Sequence, residues 1–427
     1  MHVIFIAIGS AGDINPLLAL AKTASDQGHR VTFCTHPPFA EVIVDCGLKF
    51  VPLGTADDYF ITVKDPAMWN SRTSYRAISS SVAWTTRVVF DTLEAEADDD
   101  TVIAAHQVAF GARLFHEKYN VPLLSLQVSP AGFISAQEPP VLRPVCVPRS
   151  LPLPLRKSLT WAMERFILDP LFAPELNRFR ATLGLPPLKR IMSSWSHSPQ
   201  GIIGLYPNWF APIQRDWPKN LTLTGFTLFD QAGVRGIDTE VEDFLASGSP
   251  PIVFTPGSSY VDRAAFYTAA TTALKALGLR GIFLASDGET LPKSTSNILE
   301  RSYIPLSTLL PRVRALVHHG GIGTAALAYA AGIPQLITPY AFDQFDNAAR
   351  VERTGCGFSI KALPNGTRMT ESIKRLLNDR LIGEKCIEYQ LLTESGENVC
   401  RKALTALESF AGERGRSFGH LSSRRGL

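Results

Sequence analysis

Cysteine is scarce in this chain and forms no recognisable pattern. Cys34, Cys46, Cys146, Cys356, Cys386 and Cys400 are scattered over 427 residues without a Cys-x-x-Cys pair. That excludes a zinc ribbon and a disulfide framework, and it fits a reducing, cytoplasmic compartment. Long apolar runs are missing too, so no segment reads as a membrane-spanning helix. The apolar start Val3-Ile4-Phe5-Ile6 has no basic region before it and is soon interrupted by Gly9, Gly12 and Asp13, so it reads as a buried first strand and not as a leader. Charge of one sign is also lacking: 42 basic against 39 acidic residues leave a net +3, too weak to argue for a nucleic-acid partner. The basic residues that do cluster, Arg414, Arg416, Arg424 and Arg425, read as a solvated tail, with a phospholipid contact as the alternative.

What remains is ordinary globular material. A hydrophobic content of 45% and a charged content of 19% exclude disorder, and 427 residues call for two domains. The stretch after His2 to Ile8 is continuously apolar, as a parallel strand covered on both faces would be. A turn at Gly9-Ser10-Ala11-Gly12-Asp13 leads into a helix expected over Ile14 to Gln27, stopped by Gly28, and Arg30–Thr35 is a second strand. Further strands are expected at Thr101–Ala105, Leu123–Val128 and Gly201–Leu205. The pattern restarts with Pro251–Thr255, a Gly257-Ser258-Ser259 turn, a helix over Arg263 to Leu277, and strands at Gly281–Ala285, Ala315–Val317 and Gln335–Thr338. Two α/β halves of the doubly wound kind follow from this alternation. In the middle of the first half, Pro139, Pro140, Pro144, Pro148, Pro152 and Pro154 precede an amphipathic helix with Leu155, Leu159, Ala162, Met163, Phe166 and Ile167 on one face. That face either packs on its own domain or, with Arg156, Lys157 and Arg165 beside it, lies on a membrane surface.

The chemistry concentrates at two turns. Val317-His318-His319-Gly320-Gly321-Ile322-Gly323-Thr324 runs from a strand through glycines into a small-residue helix starting near Thr324. Such a helix N-terminus binds anions, and His319 at its mouth can donate to a phosphate oxygen. Gly321 and Gly323 would let the backbone approach the ligand closely. Ser258 either caps its helix or adds donors for the same phosphates. Tyr303, ahead of Ile304-Pro305, is either a packed aromatic or a platform for a base. Asp343 and Gln344 either cap their loop or face sugar hydroxyls. At the first turn, Asp13 is either a helix N-cap or a general base at the carboxyl edge of the sheet. Gly9-x-x-Gly12 is not the dinucleotide fingerprint, which argues against NAD. Asp98-Asp99-Asp100 reads as a solvated acidic cluster, and no metal site is expected.

His319-Gly320-Gly321-Ile322-Gly323-Thr324, Ala331-Gly332-Ile333-Pro334 and Asp343-Gln344-Phe345-Asp346-Asn347 resemble the donor signature of the family 1 nucleotide-sugar glycosyltransferases. Gly9-Ser10-x-Gly12-Asp13-x-x-Pro16 resembles the opening motif of its bacterial members. Within that family, Ala7-Ile8-Gly9-Ser10-Ala11-Gly12-Asp13, His116-Glu117-Lys118-Tyr119, Gln127-Val128-Ser129-Pro130, His197-Ser198-Pro199-Gln200-Gly201 and Trp209-Phe210-Ala211-Pro212 resemble the rhamnosyltransferases of rhamnolipid synthesis.

The resemblance implies a GT-B fold, two Rossmann-like doubly wound domains facing across a cleft. The boundaries expected are 1–224 for the acceptor domain, 225–249 for a linker, 250–405 for the donor domain and 406–427 for a tail. It implies metal-independent, inverting transfer of L-rhamnose from dTDP-L-rhamnose, a co-substrate, to a 3-(3-hydroxyalkanoyloxy)alkanoate lipid, giving mono-rhamnolipid at the cytoplasmic side of the inner membrane. Asp13 would be the base. His319, Gly321, Gly323 and Thr324, joined by Ser258, would hold the diphosphate. Tyr303 and Ile304 would meet the pyrimidine, and Asp343 and Gln344 the sugar. Where UDP-dependent relatives carry a ribose-binding glutamate this chain has Leu327, which favours dTDP. Two other readings stay open: a dTDP- or UDP-sugar glycosyltransferase with a polyketide, peptide or sterol acceptor, and a non-catalytic nucleotide-sugar-binding auxiliary.

Overall fold

The computed structural model describes residues 1–70, 73–143, 146–230, 236–257, 263–285, 294–360 and 365–414. The expected donors at Ser258 and Ser259, and the basic residues Arg416, Arg424 and Arg425, lie outside the described residues. The chain divides into two compact units, Met1–Thr227 with Gly396–Leu427, and Leu228–Ser395.

The first unit is built on a seven-stranded, all-parallel sheet of strands β1 (His2–Ile6), β2 (Arg30–Thr35), β3 (Lys49–Pro52), β4 (Thr101–His106), β5 (Leu123–Gln127), β6 (Ile202–Gly204) and β7 (Leu221–Leu223), in the order β3-β2-β1-β4-β5-β6-β7. Val3, Ile4, Phe5 and Ile6 are all fully buried, the signature of a strand with helices on both faces. Truncating Phe5 there would cost about 3–5 kcal/mol. Helix α1 runs over Ala11–Asp26, three residues earlier than expected, because Ser10 and not Asp13 occupies the N-cap. Leu17, Leu18, Ala21 and Ala24 are buried as the spacing required. Asp98 is not simply solvated: it accepts from Thr101 Oγ1 at 2.9 Å and the Asp100 amide at 3.1 Å, and pairs with Arg30, joining the starts of β2 and β4.

Helix α2 (Ser74–Glu96) and helix α3 (Phe110–Tyr119) flank this sheet. Helix α4 (Leu153–Met163) then passes through a π-turn at Glu164–Leu168 into helix α5 (Asp169–Thr182). Of the two readings of its apolar face, packing on the unit holds for Met163, which lies against the core, and fails for Leu155, Leu159, Phe166 and Ile167, which are exposed. No residue of α4 is buried, and Phe166 is 66% exposed. The segment is also anchored by polar caps. Buried Glu164 accepts from the Ser193 amide at 2.9 Å, and buried Asp169 accepts from the amides of Arg190 and Ile191 at 3.0 and 3.2 Å.

The second unit carries a six-stranded parallel sheet: β8 (Ile252–Thr255), β9 (Gly281–Leu284), β10 (Ile298–Arg301), β11 (Ala315–His318), β12 (Gln335–Ile337) and β13 (Gly357–Ser359), in the order β10-β9-β8-β11-β12-β13. Within residues 225–249 there is a helix, α6 (Thr239–Ala246), capped by Asp238, which accepts from the Val241 amide at 2.8 Å. Helix α7 (Arg263–Leu277) follows β8, α8 (Ile322–Ala331) follows β11 and α9 (Gln344–Thr354) follows β12. Residues 406–414 continue the last helix, α10 (Gly396–Arg414), which returns to the first unit. There Val399 and Leu407 are fully buried and Glu408 meets His29 at 2.8 Å.

Strand order reverses between β1 and β4 in one sheet and between β8 and β11 in the other. These are the switch points at whose carboxyl ends open α/β sheets bind ligands. Asp13 and His106 sit at the first, and Gly257 and His319 at the second.

Candidate functional site

In the second unit, β11 leaves the sheet at His318, and Gly320 turns the chain with φ +96°. Gly321 is the N-cap of α8, which begins at Ile322, two residues before the expected start. The first helical hydrogen bond is the Ala325 amide to the Gly321 carbonyl at 3.0 Å. The amides of Ile322, Gly323 and Thr324 are therefore the orphan donors of the first turn, and no side chain caps them. Three convergent N–H groups at the positive end of a helix dipole form an anion cradle.

The glycines have separate jobs. A Cβ on Gly321 would lie 2.5 Å from His319 Nε2, and one on Gly257 would lie 2.8 Å from His319 Nδ1. These two make room for the imidazole between two backbone segments, a role for Gly321 beyond the expected approach to a ligand. A Cβ on Gly323 would meet no described residue within 4 Å outside its own helix backbone, so this position is open. Burial pushes the His319 imidazole down to about 4, against an opposing pull from the Thr255 backbone. The ring is thus neutral near pH 7, with one N–H to donate, and its Nδ1 has no partner among the described residues.

The cradle is braced from behind. His318, fully buried and held near a pKa of 3 mainly by desolvation, accepts the Gly320 amide on Nδ1 at 3.2 Å and faces Gln335 Oε1 with Nε2 at 3.1 Å. That pattern assigns the Nε2–H tautomer. Asn347 donates from Nδ2 to the Gly320 carbonyl at 2.9 Å and to Asp343 Oδ2 at 3.0 Å. Asp346 and Arg350 form a buried pair at 2.7 Å in α9. The segment Asp343 to Asn347 thus holds the glycine turn physically, a role that spacing alone did not reveal.

Of the expected sugar contacts, Gln344 is mostly engaged in its own loop: it is buried, and Oε1 accepts from the amides of Tyr340 and Ala341 at 3.0 and 3.1 Å. Asp343 is partly exposed at the start of α9. Tyr303 donates its hydroxyl to the Asp230 carbonyl while its ring stays 38% exposed. Ile304 and Leu327 are buried in one apolar cluster with Phe244, Leu309 and Leu310. Among the described residues no group of three His, Cys, Asp or Glu could hold a metal ion.

In the first unit, Asp13 is the N3 residue of α1 and closes a capping box. Its Oδ2 accepts the Ser10 amide at 2.9 Å and the Ser10 hydroxyl at 3.2 Å. Its other oxygen, Oδ1, faces His106 Nε2 at 4.0 Å. His36 at the end of β2 and Tyr59 also feel the Asp13 charge, and their rings lie 5.1 Å apart. Burial lowers the pKa of both His36 and His106 despite Asp13, and burial with Asp13 raises Tyr59 to about 12. All three side chains are therefore neutral near pH 7, and Asp13 is the charge among them. Thr35 Oγ1, His36 Nδ1, His106 Nδ1, Gln127 Oε1 and Ser129 Oγ are buried without hydrogen-bond partners among the described residues, along the carboxyl ends of β2, β4 and β5. Unmatched buried polar atoms are rare, and here they line the edge where a ligand would supply the missing bonds. His106 was not singled out from sequence; its position after an apolar strand was the available signal.

The segments resembling rhamnolipid rhamnosyltransferases have structural work in this unit. His116 Nδ1 meets the Val121 carbonyl at 2.8 Å, and Glu117 accepts from Trp195 Nε1 at 2.8 Å and pairs with Arg180. Ser198 donates to the Leu123 carbonyl at 2.6 Å, and the His197 ring packs 5.0 Å from Phe133. Phe210 stacks edgewise on Phe226 at 5.3 Å.

Two parallel α/β sheets in sequence, the second ending a strand on a histidine-flanked anion cradle, match the architecture of the GT-B class. Residues 3–133 match the glycosyltransferase family 28 N-terminal domain, and residues 282–394 match the erythromycin biosynthesis protein CIII-like C-terminal domain. An O-mycaminosyltylonolide 6-deoxyallosyltransferase of Streptomyces fradiae is 30% identical over 384 residues, 83% of this chain and 84% of that protein. A sterol 3-beta-glucosyltransferase of Arabidopsis thaliana, UGT80A2, is 27% identical over 99% of this chain and 66% of that protein. The crystal structure of the glycotransferase of kitacinnamycin superposes with a TM-score of 0.73 at 19% identity, covering 96% of this chain and 99% of that one. The chain belongs to the family 1 GT-B glycosyltransferases.

Proposed function

We propose that the protein transfers a sugar from a nucleoside diphosphate to a hydroxyl group of a predominantly apolar acceptor, with inversion at the anomeric carbon. Asp13 Oδ1 takes the proton from the acceptor hydroxyl as that oxygen attacks the anomeric carbon. The bond from that carbon to the diphosphate oxygen breaks, and the electron pair leaves with the nucleoside diphosphate. The negative charge that develops there is met by the amides of Ile322, Gly323 and Thr324 and by an N–H of neutral His319. The observation that carries this reading is the division of labour in Asp13: one oxygen is fixed by Ser10, which orients the carboxylate, and the other is free for a proton.

For the acceptor, the relatives favour a polyketide, peptide or sterol compound, since their names span a tylonolide and sterols. A second reading, L-rhamnose from dTDP-L-rhamnose onto a 3-(3-hydroxyalkanoyloxy)alkanoate, is supported by the first-half resemblance alone, since Leu327, which the sequence offered as a sign of dTDP, is buried in the apolar core. The test crosses dTDP-rhamnose, dTDP-glucose and UDP-glucose with a macrolide aglycone, a sterol and the hydroxyacyl lipid, and reads products by mass spectrometry. Glycosylated macrolide or sterol supports the first reading and rhamnosylated lipid the second. Absence of any glycoside from every pairing would sink both.

A further inference from the structure

The helix α4, its π-turn and the start of α5 present an apolar face that nothing in the unit covers. Leu155 is 46% exposed, Leu159 38%, Trp161 57%, Phe166 66% and Ile167 37%. Trp161 and Phe166 stack edge to face at 5.8 Å, so the two largest side chains form one projecting group. Single exposed apolar residues are unremarkable, but five on one 13-residue stretch form a patch of the kind that marks a binding surface.

The charges around it are all of one sign. Across residues 141–170 the only acidic side chains are Glu164 and Asp169, and both are buried in backbone caps. Arg143, Lys157 and Arg165 are exposed. Lys157 and Arg165 make no ion pair among the described residues, and Arg165 lies over the Phe166 ring at 5.8 Å. Aromatic and aliphatic side chains ringed by cations are the composition of a helix that lies in the headgroup layer of a bilayer. A second copy of the chain is disfavoured as occupant, because two such faces would bring like charges together.

We propose that this face docks the protein on an anionic lipid surface, with Trp161 and Phe166 entering the headgroup–acyl boundary and Lys157 and Arg165 pairing with phosphates. The anchoring fits that role: Glu164 and Asp169, with Leu168 in the core and Met163 packed against it, hold the segment to the unit and leave Trp161 and Phe166 outward. The proposal concerns partitioning of the whole chain and is independent of which acceptor is glycosylated.

The experiment is co-sedimentation of the full chain with sucrose-loaded vesicles, either equal parts phosphatidylglycerol and phosphatidylcholine or phosphatidylcholine alone. Binding is expected to the anionic vesicles and to weaken with salt. Lys157→Ala with Arg165→Ala should weaken it roughly 25-fold, about fivefold per charge. Trp161→Ser with Phe166→Ser should weaken it at least about tenfold. Both double variants should keep the circular dichroism and the dTDP affinity of the parent, since the changed side chains are exposed. Failure of the parent to bind anionic vesicles, or unchanged binding in both variants, overturns the proposal. So does concentration-dependent self-association that is lost in Trp161→Ser with Phe166→Ser while lipid binding is absent.

Discussion

Asp13 is asked to do two things, and two substitutions separate them. Oδ2 closes the capping box on Ser10, with bonds of 2.9 and 3.2 Å, and Oδ1 is the proposed base. Asp13→Asn keeps an oxygen that can accept the Ser10 amide, so the start of α1 should survive and stability should change by no more than about 0.5 kcal/mol. Asp13→Ala removes both bonds, which costs about 1 kcal/mol for the cap. In a unit of this size that corresponds to a fall in melting temperature of roughly 2–4 °C. Both variants should lose turnover by roughly 100- to 10,000-fold, the contribution expected of a general base. Both should bind dTDP as the parent does, because the cradle is in the other unit. The assays are initial rates by release of nucleoside diphosphate, calorimetric titration with dTDP, and thermal unfolding. If Asp13→Asn turns over at close to the parental rate, the carboxylate is not the base. If turnover falls in step with stability alone, Asp13 is only a cap.

His319→Ala should lower dTDP affinity about 10- to 100-fold, the loss of one hydrogen bond to a charged group, and should lower kcat as well, read by titration and steady-state kinetics. Asn347→Ala removes the donor to the Gly320 carbonyl and should destabilise the second unit by about 1–3 kcal/mol while weakening dTDP binding; unchanged melting and affinity would remove it from the bracing role. Arg350→Ala removes one partner of the buried Asp346–Arg350 pair and should cost about 3–5 kcal/mol, measured by urea unfolding. Acid should destabilise the protein through its buried imidazoles. His197 and His318 are held neutral, near pKa 4 and 3 against an ordinary 6.5, so the unfolded chain binds their protons first. Their contribution is fully present above about pH 6.5 and is lost as pH falls toward 4, by at most about 3 kcal/mol for His197. His197→Phe should flatten the fall of melting temperature over that window.

The interior of both sheets was legible in the sequence and their edges were not. Every strand read from the sequence is covered on both faces or nearly so, which leaves a continuous apolar run between glycine turns. The strands that escaped, β3, β7, β10 and β13, are the four sheet edges. β3 contains Lys49 and Pro52, and β13 is only Gly357–Ser359, too short for any period to register. The π-turn misled the reading of Leu153 to Leu168, since a 3.6-residue wheel does not describe it. At the site, His319 and its glycines were legible because strand, turn and helix are contiguous. The approach of His106 to Asp13 and the bond from Asn347 to Gly320 depend on the fold bringing distant segments together. Gly321 stood out in the sequence as a turn glycine, but the histidine ring that its missing side chain admits depends on the fold.

The central claim is that the first turn of α8 holds a donor diphosphate, and Gly323 tests it most directly. A methyl group there meets no described residue within 4 Å outside its own helix backbone, so Gly323→Ala should fold and melt as the parent does. It would nevertheless crowd the diphosphate proposed to be held by the first turn of α8. Calorimetric titration with dTDP should show affinity falling at least about tenfold in this variant, while thymidine, which lacks the phosphates, shows no difference between the two proteins. Equal dTDP affinity in parent and Gly323→Ala would contradict the account.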